Sequence, residues 1–285
     1  KLQSMGFVCE NPLGNYHMKI TPDFVNKKGE KKSSNVRVEL NGIQLIQQYC
    51  KTENLKKLAH DSPYESQIIF NQKLFAIKNN NPVKPADNDD FNFRVSFQHE
   101  NILNKDHHFV QNLIKNWDNS KKMFRHINRY TLTHPTMPIK CDLSIVKQSI
   151  KSKSFPYLPL KTYNINDSKI FTTNESFEIE LEVLNDIVLD KKLSLKTIIQ
   201  ELKTVIKYVL SGLQKTYFPV SYRELFVVSK EYEMLINEIK KEDEEEYLKK
   251  INLKNIFYKL HSSQFIGPSS YTLQLDNIRE IDETI

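Results

Sequence analysis

Phe177-Glu178-Ile179-Glu180-Leu181-Glu182-Val183 alternates strictly, four apolar side chains against three glutamates. A period of two marks a β-strand whose faces meet different environments. Residues two apart project from the same face, and a rise of about 3.3 Å per residue sets successive glutamates ~7 Å apart. At that spacing two unit charges repel by roughly 0.6 kcal/mol in water, but by ~2.4 kcal/mol at an effective dielectric near 20. Three carboxylates in a row inside an enclosed sheet therefore require a cation. Their oxygens suit Mg2+ or Mn2+, hard ions that also bind phosphate. A solvent-facing edge strand that uses charge against aggregation fits the same spacing.

Similar alternation appears upstream. Val36, Val38 and Leu40 oppose Arg37 and Glu39, and Phe91, Phe93, Val95 and Phe97 oppose Asn92, Arg94 and Ser96. Residues 129–133 and 139–145 flank the turn His134-Pro135-Thr136-Met137-Pro138 and read as a hairpin, its polar face carrying Arg129, Thr131, Thr133, Lys140, Asp142 and Ser144. Ser194 is the expected N-cap of a helix to about Tyr217, with a broad apolar stripe from Leu195 to Leu213. Shorter helices are expected over 43–50 after Gly42 and over 107–117, and further helix within 221–260. Residues 79–90 read as a turn-rich loop and 240–246 as a charged surface stretch.

Amphipathic helices can cover the apolar strand faces from outside, leaving the polar faces to meet inside a closed sheet. A sandwich or barrel with an apolar interior fits the alternation equally well. With 285 residues the chain has room for one elaborated domain. Cys9, Cys50 and Cys141 are scattered, which points away from zinc sites and disulfides and toward a reducing compartment. No apolar run approaches the ~20 residues of a membrane helix. The net charge of +6 divides into +10 for residues 1–153 and −4 for the remainder, and a basic half attracts polyanions such as nucleic acid. Lys19, Arg37, Arg94, Arg125, Arg129 and Lys140 stand on strand faces, so a carboxylate strand holding a metal opposite basic strands would suit triphosphate chemistry. Each basic residue also reads as a solvated surface group.

Several stretches together resemble the N-terminal RNA 5′-triphosphatase region of mRNA-capping enzymes of nucleocytoplasmic large DNA viruses, members of the triphosphate-tunnel metalloenzymes. They are residues 35–43 with Tyr49-Cys50-Lys51-Thr52, then Phe93-Arg94-Val95-Ser96, residues 129–133, residues 141–147, and residues 176–182. The resemblance implies an α+β fold: an antiparallel eight-stranded β-barrel with helices packed outside, over residues 1–260. Residues 261–285 would form a connector toward a guanylyltransferase domain. It implies removal of the γ-phosphate from 5′-triphosphate RNA as the first step of cap formation, with Mg2+ or Mn2+ as cofactor. Guanylyltransferase and methyltransferase domains would be partners, and the host cytoplasm or virion the location. By motif position Glu178, Glu180 and Glu182 are the metal ligands, and Arg37, Arg94, Arg125, Arg129, Lys140 and Lys147 hold phosphate. Glu39 and Asp142 orient these groups or activate water. Strict alternation nonetheless puts Lys147 on the apolar face with Ile145.

Members of that family carry a second acidic strand upstream of a helix resembling Leu2 to Phe7, for which Arg37-Val38-Glu39 is no substitute. The expectation is thus either a barrel lacking its first strand in this chain, with half a metal site, or an enzyme that has diverged from the family pattern. A non-catalytic RNA-docking or scaffold domain is the alternative function, and a tunnel enzyme acting on tripolyphosphate or free nucleotides a third.

Overall fold

The computed structural model of the protein describes residues 1–25, 29–60, 63–153, 155 and 157–250. The chain divides into two compact units, Lys1–Ala86 with Arg94–Pro219, and Asp87–Phe93 with Val220–Ile285. The expected connector over 261–285 lies outside the described residues.

The elements run β1 (Val8–Cys9), β2 (Asn15–Val25), β3 (Lys31–Ser33), β4 (Val36–Asn41), α1 (Ile43–Thr52), α2 (Leu55–Leu58) and β5 (Ile68–Phe75). Four short strands follow, β6 (Ile77–Lys78), β7 (Asn81–Pro82), β8 (Ala86–Asn88) and β9 (Phe93–Val95). Then come β10 (Gln98–Leu103), α3 (His108–Lys115), β11 (Lys122–Thr133), β12 (Ile139–Gln148), α4 (Ile165–Ser168), β13 (Ser176–Val183), α5 (Asn185–Asp190) and α6 (Leu195–Gln214). The second unit holds α7 (Tyr222–Ile236) and α8 (Glu244–Lys250).

Seven antiparallel strands form one sheet in the order β10-β5-β4-β2-β11-β12-β13, with β1 added beside β11 and β3 beside β2. The sheet is strongly curled into a half-barrel. Among the described residues its end strands β10 and β13 do not pair with each other, so the expected eight-stranded barrel is not closed.

Alternation assigns the faces. Met18, Ile20, Val38, Leu40, Phe70 and Phe124 are buried on the outer face beneath Leu45, Ile46 and Tyr49 of α1, Leu55 and Leu58 of α2, and Val110 and Ile114 of α3. Each such side chain taken out of water contributes about 1.5–3 kcal/mol. A second cluster joins Leu132, Ile139 and Cys141 to Val205 of α6, with Leu181, Val183 and Leu202 packed against it. Gly42 links β4 to α1 with φ of 93°, a left-handed conformation costly for other residues. Ser194 caps α6, its side chain accepting from the Thr197 N–H.

Two expected elements differ. The strand read over 91–97 shrinks to β9, outside the seven-stranded sheet, because Asn92 takes a left-handed φ of 52° that breaks the extended run. The helical reading of 221–260 resolves into α7 and α8, with Glu238 at φ 54° between them, and its last residues lie outside the described chain.

Candidate functional site

Polar side chains of seven strands line the inner face. The register sets Lys140 opposite Glu182, Asp142 opposite Glu180 and Ser144 opposite Glu178. On the other side of β12, Arg129 faces Ser144 and Thr131 faces Asp142. Side chains two strands apart meet on the concave side of a curled sheet, and the ion pairs cross β12 accordingly. One Nη2 of Arg125 lies 2.8 and 2.7 Å from the two carboxylate oxygens of Glu178. Arg129 reaches Glu180 at 2.6 Å and Asp142 at 3.2 Å, and its Nε donates to Ser144 Oγ at 3.2 Å. Lys140 sits 2.8 Å from Glu182 and 3.8 Å from Asp142. Asp142 is buried and also accepts from the Thr131 hydroxyl at 2.8 Å.

A second charged cluster spans β2, β4, β5 and β10. Arg37 donates from Nε to Glu39 at 2.6 Å and from Nη2 to both oxygens of Glu100 at 3.0 Å, crossing β5. The Asn71 amide donates to Glu39 at 3.2 Å and to Glu100 at 2.8 Å, and Lys19 lies 3.9 Å from Glu39.

Electrostatics tie the clusters together. Burial lowers the Lys19 pKa, as do Arg37 and Arg129, while Glu39 and Glu180 oppose the shift. Lys19 on β2 thus feels Glu180 on β13, with β11 and β12 between them. His17 is lowered to about 4, by burial first and then by Lys19 and Arg129, so a neutral imidazole sits among the cations. Glu100 is lowered: burial opposes this, but the Asn71 hydrogen bond and Arg37 outweigh it. Lys140 is raised, since Glu182 and Asp142 together outweigh the desolvation of its ammonium.

Exposure decides what these pairs can do. The side chains of Glu180 and Glu182 are 57% and 65% exposed, against 21% and 24% for Arg129 and Lys140. Ion pairs with such solvated partners contribute ~0–1 kcal/mol each. Another anion can therefore replace the outer carboxylates at small cost, while the cations stay aimed into the half-barrel. Asp142, by contrast, is buried, and its loss of partners would be expensive.

Of the residues singled out from sequence, the inner face gathers Lys19, Arg37, Glu39, Arg125, Arg129, Lys140, Asp142, Glu178, Glu180 and Glu182. Lys147 is on the outer face, opposite His126 and 3.6 Å from Glu175, as its alternation with Ile145 implies. Arg94 stands on β9, outside the sheet. His17, Asn71 and Glu100 went unrecognised in the sequence; the signal for His17 was Tyr16, Met18 and Ile20 alternating with His17 and Lys19. Trp117 packs in the core, and His107 caps α3.

The carboxylates have the chemistry a hard divalent ion needs. As they stand, Glu178, Glu180 and Glu182 each face an arginine or lysine, and among the described residues no group of three or more His, Cys, Asp or Glu is gathered to hold a metal. Cys9, Cys50 and Cys141 are free thiols, and no described helix is long and apolar enough to cross a membrane.

No family model and no curated sequence matches the chain. Among solved structures it is similar to the Mimivirus capping enzyme triphosphatase, with a TM-score of 0.39 and 16% identity over 66% of this chain and 72% of that one. A likeness of that size leaves the function to be read from the residues themselves.

Proposed function

We propose that the concave face is the catalytic surface of a metal-dependent RNA 5′-triphosphatase, which removes the γ-phosphate of nascent mRNA before cap addition. The observation that carries this is the row of Arg125, Arg129 and Lys140, held against Glu178, about a third exposed, and against Glu180 and Glu182, both more than half exposed, which a polyphosphate can displace. Lys19 and Arg37 extend the cationic row across the half-barrel. The motif resemblance around residues 129–147 and 176–182 supports the same chemistry.

Glu178, Glu180 and Glu182, once released by the cations, would hold Mg2+ or Mn2+. The ion would supply neutralisation of the charge that develops on the phosphate oxygens. Arg125, Arg129 and Lys140 would bind and orient the triphosphate, stabilising charge where it builds. Buried Asp142 holds Arg129 and Lys140 in place, and Glu39 does the same for Arg37 and Lys19; either carboxylate could take a proton from the attacking water. Lys147 stands on the outer face and Arg94 on β9, outside the seven-stranded sheet.

Phosphate release from 5′-triphosphate RNA in Mg2+ or Mn2+ tests the reading. Glu180→Ala should abolish release while the protein stays folded, and release at the parental rate would remove Glu180 from the site. Comparison of RNA, ATP and tripolyphosphate identifies the substrate.

A second reading, a non-catalytic RNA-docking or scaffold domain, is favoured by the pairing of every inner-face glutamate with a cation. Binding of triphosphate RNA with no turnover at any divalent-ion concentration selects it.

A further inference from the structure

The rim of the half-barrel at which β2 ends and β4 and β11 begin contains a cleft of about 810 Å3. Its wall includes Phe24 at the end of β2, Lys31 of β3, Asn35 ahead of β4, Phe109 and Asn112 of α3, and Lys121 ahead of β11. Phe24 and Phe109 are 44% and 47% exposed, so two aromatic rings border this one opening with much of their surface in solvent. Scattered exposed apolar residues are ordinary, but aromatic rings sharing a cleft with amides and lysines have a specific use. Rings stack bases of any sequence, amides bond to base edges, and ammonium groups follow the phosphates.

Charge selects the occupant. Among the described residues that line the cleft are three lysines, Lys31, Lys32 and Lys121, against one carboxylate, Asp23. Lys161 holds that carboxylate at 2.6 Å and Glu30 pairs with Lys32 at 3.2 Å, so the excess positive charge of the cleft rests on Lys31 and Lys121. The cleft sits at the strand ends on the α3 side of the sheet, across the rim from the inner face. Val36 lines it, the next residue is the inner-face Arg37, and Phe24 lies about 16 Å along β2 from Lys19. A strand of RNA with its 5′ end among the inner-face cations passes over the rim at the strand ends within a few nucleotides to reach the cleft.

We propose that this rim cleft binds single-stranded RNA just downstream of the 5′ end, a proposal that rests on the inner face being the site of the 5′-triphosphate. Such a site would make the chain select RNA over free nucleotide or tripolyphosphate, which share only the phosphates.

The test uses the full chain and a short single-stranded RNA with a 5′-hydroxyl end, so that binding owes nothing to triphosphate. Fluorescence anisotropy measures the affinity of the parent and of Phe24→Ala, Phe109→Ala and Lys121→Ala, with thermal melts to confirm folding. Each aromatic variant should bind about tenfold more weakly. Lys121→Ala should flatten the salt dependence. Tripolyphosphate turnover should be unchanged in all three. Parental affinity in both aromatic variants overturns the proposal, as does binding of duplex RNA as tight as single-stranded, or tighter binding of an acidic peptide that excludes the RNA. Should phosphate release from 5′-triphosphate RNA be absent in the parent while RNA affinity still depends on Phe24 and Phe109, the catalytic reading falls and the cleft stands.

Discussion

Arg129 Nη2 lies 2.6 Å from Glu180 Oε2, spanning β12, while Nη1 of the same guanidinium lies 3.2 Å from Asp142. One arginine thus joins a solvated carboxylate to a buried one, and the two should differ in what their loss costs.

Arg129→Ala strips a buried carboxylate of its nearest cation and leaves it Lys140 at 3.8 Å and the Thr131 hydroxyl. Stability in urea should fall by about 2 kcal/mol, the scale of hydrogen bonds to charged groups. Glu180→Ala removes only the exposed partner and should cost less than ~1 kcal/mol. The reverse order would mean that Glu180, not Asp142, anchors the guanidinium.

His17 gives the stability a pH dependence with a defined sign. Its folded pKa of about 4 is below the ordinary value of 6.5, so between those values the unfolded chain binds the extra proton. The contribution is fully present above pH 6.5 and is lost as pH falls toward 4. Its size is on the order of 3 kcal/mol, from a shift of roughly two and a half pH units. Urea unfolding at a series of pH values should show a shallower acid decline for His17→Asn than for the parent; parallel declines would contradict a buried neutral imidazole.

Lys122 is a buried lysine outside the inner face. Its ammonium donates to the carbonyls of Trp117 at 2.8 Å and Ser120 at 2.7 Å and lies 5.2 Å from the centre of the Trp117 ring. Burial lowers its pKa. Lys122→Met keeps the volume, takes the ammonium from the Ser120 carbonyl and leaves the Trp117 carbonyl only the Ser120 N–H at 3.3 Å, so a loss of about 2 kcal/mol is expected in urea unfolding. Phosphate release should be unaffected, and a more stable variant would contradict the assignment.

The inner face was legible wherever alternation was clean. β4, the β11–β12 hairpin and β13 each place apolar residues against charged ones, and their polar sides do converge. β10 was hidden because Gln98-His99-Glu100-Asn101 offers no apolar residue to alternate with, so Glu100 gave no signal. β5 was hidden because its outer-face pattern passes from Ile68 and Phe70 to buried Gln72. The strand expected over 91–97 differed because Phe91, Phe93, Val95 and Phe97 alternate without a neighbouring strand in the large sheet to use them. Local pattern tells which side chains share a face, whereas pairing partners are set by contacts far apart in sequence. The ion pairing of Glu178, Glu180 and Glu182 is such a long-range fact.

The most direct measurement is a crystal structure of the protein soaked with manganese and tripolyphosphate, with anomalous scattering used to find the metal. The account predicts a manganese peak on the Glu180 and Glu182 side and phosphates against Arg125, Arg129 and Lys140 within the half-barrel. Tripolyphosphate bound only elsewhere, with those three cations still on their glutamates at saturating anion, would contradict it.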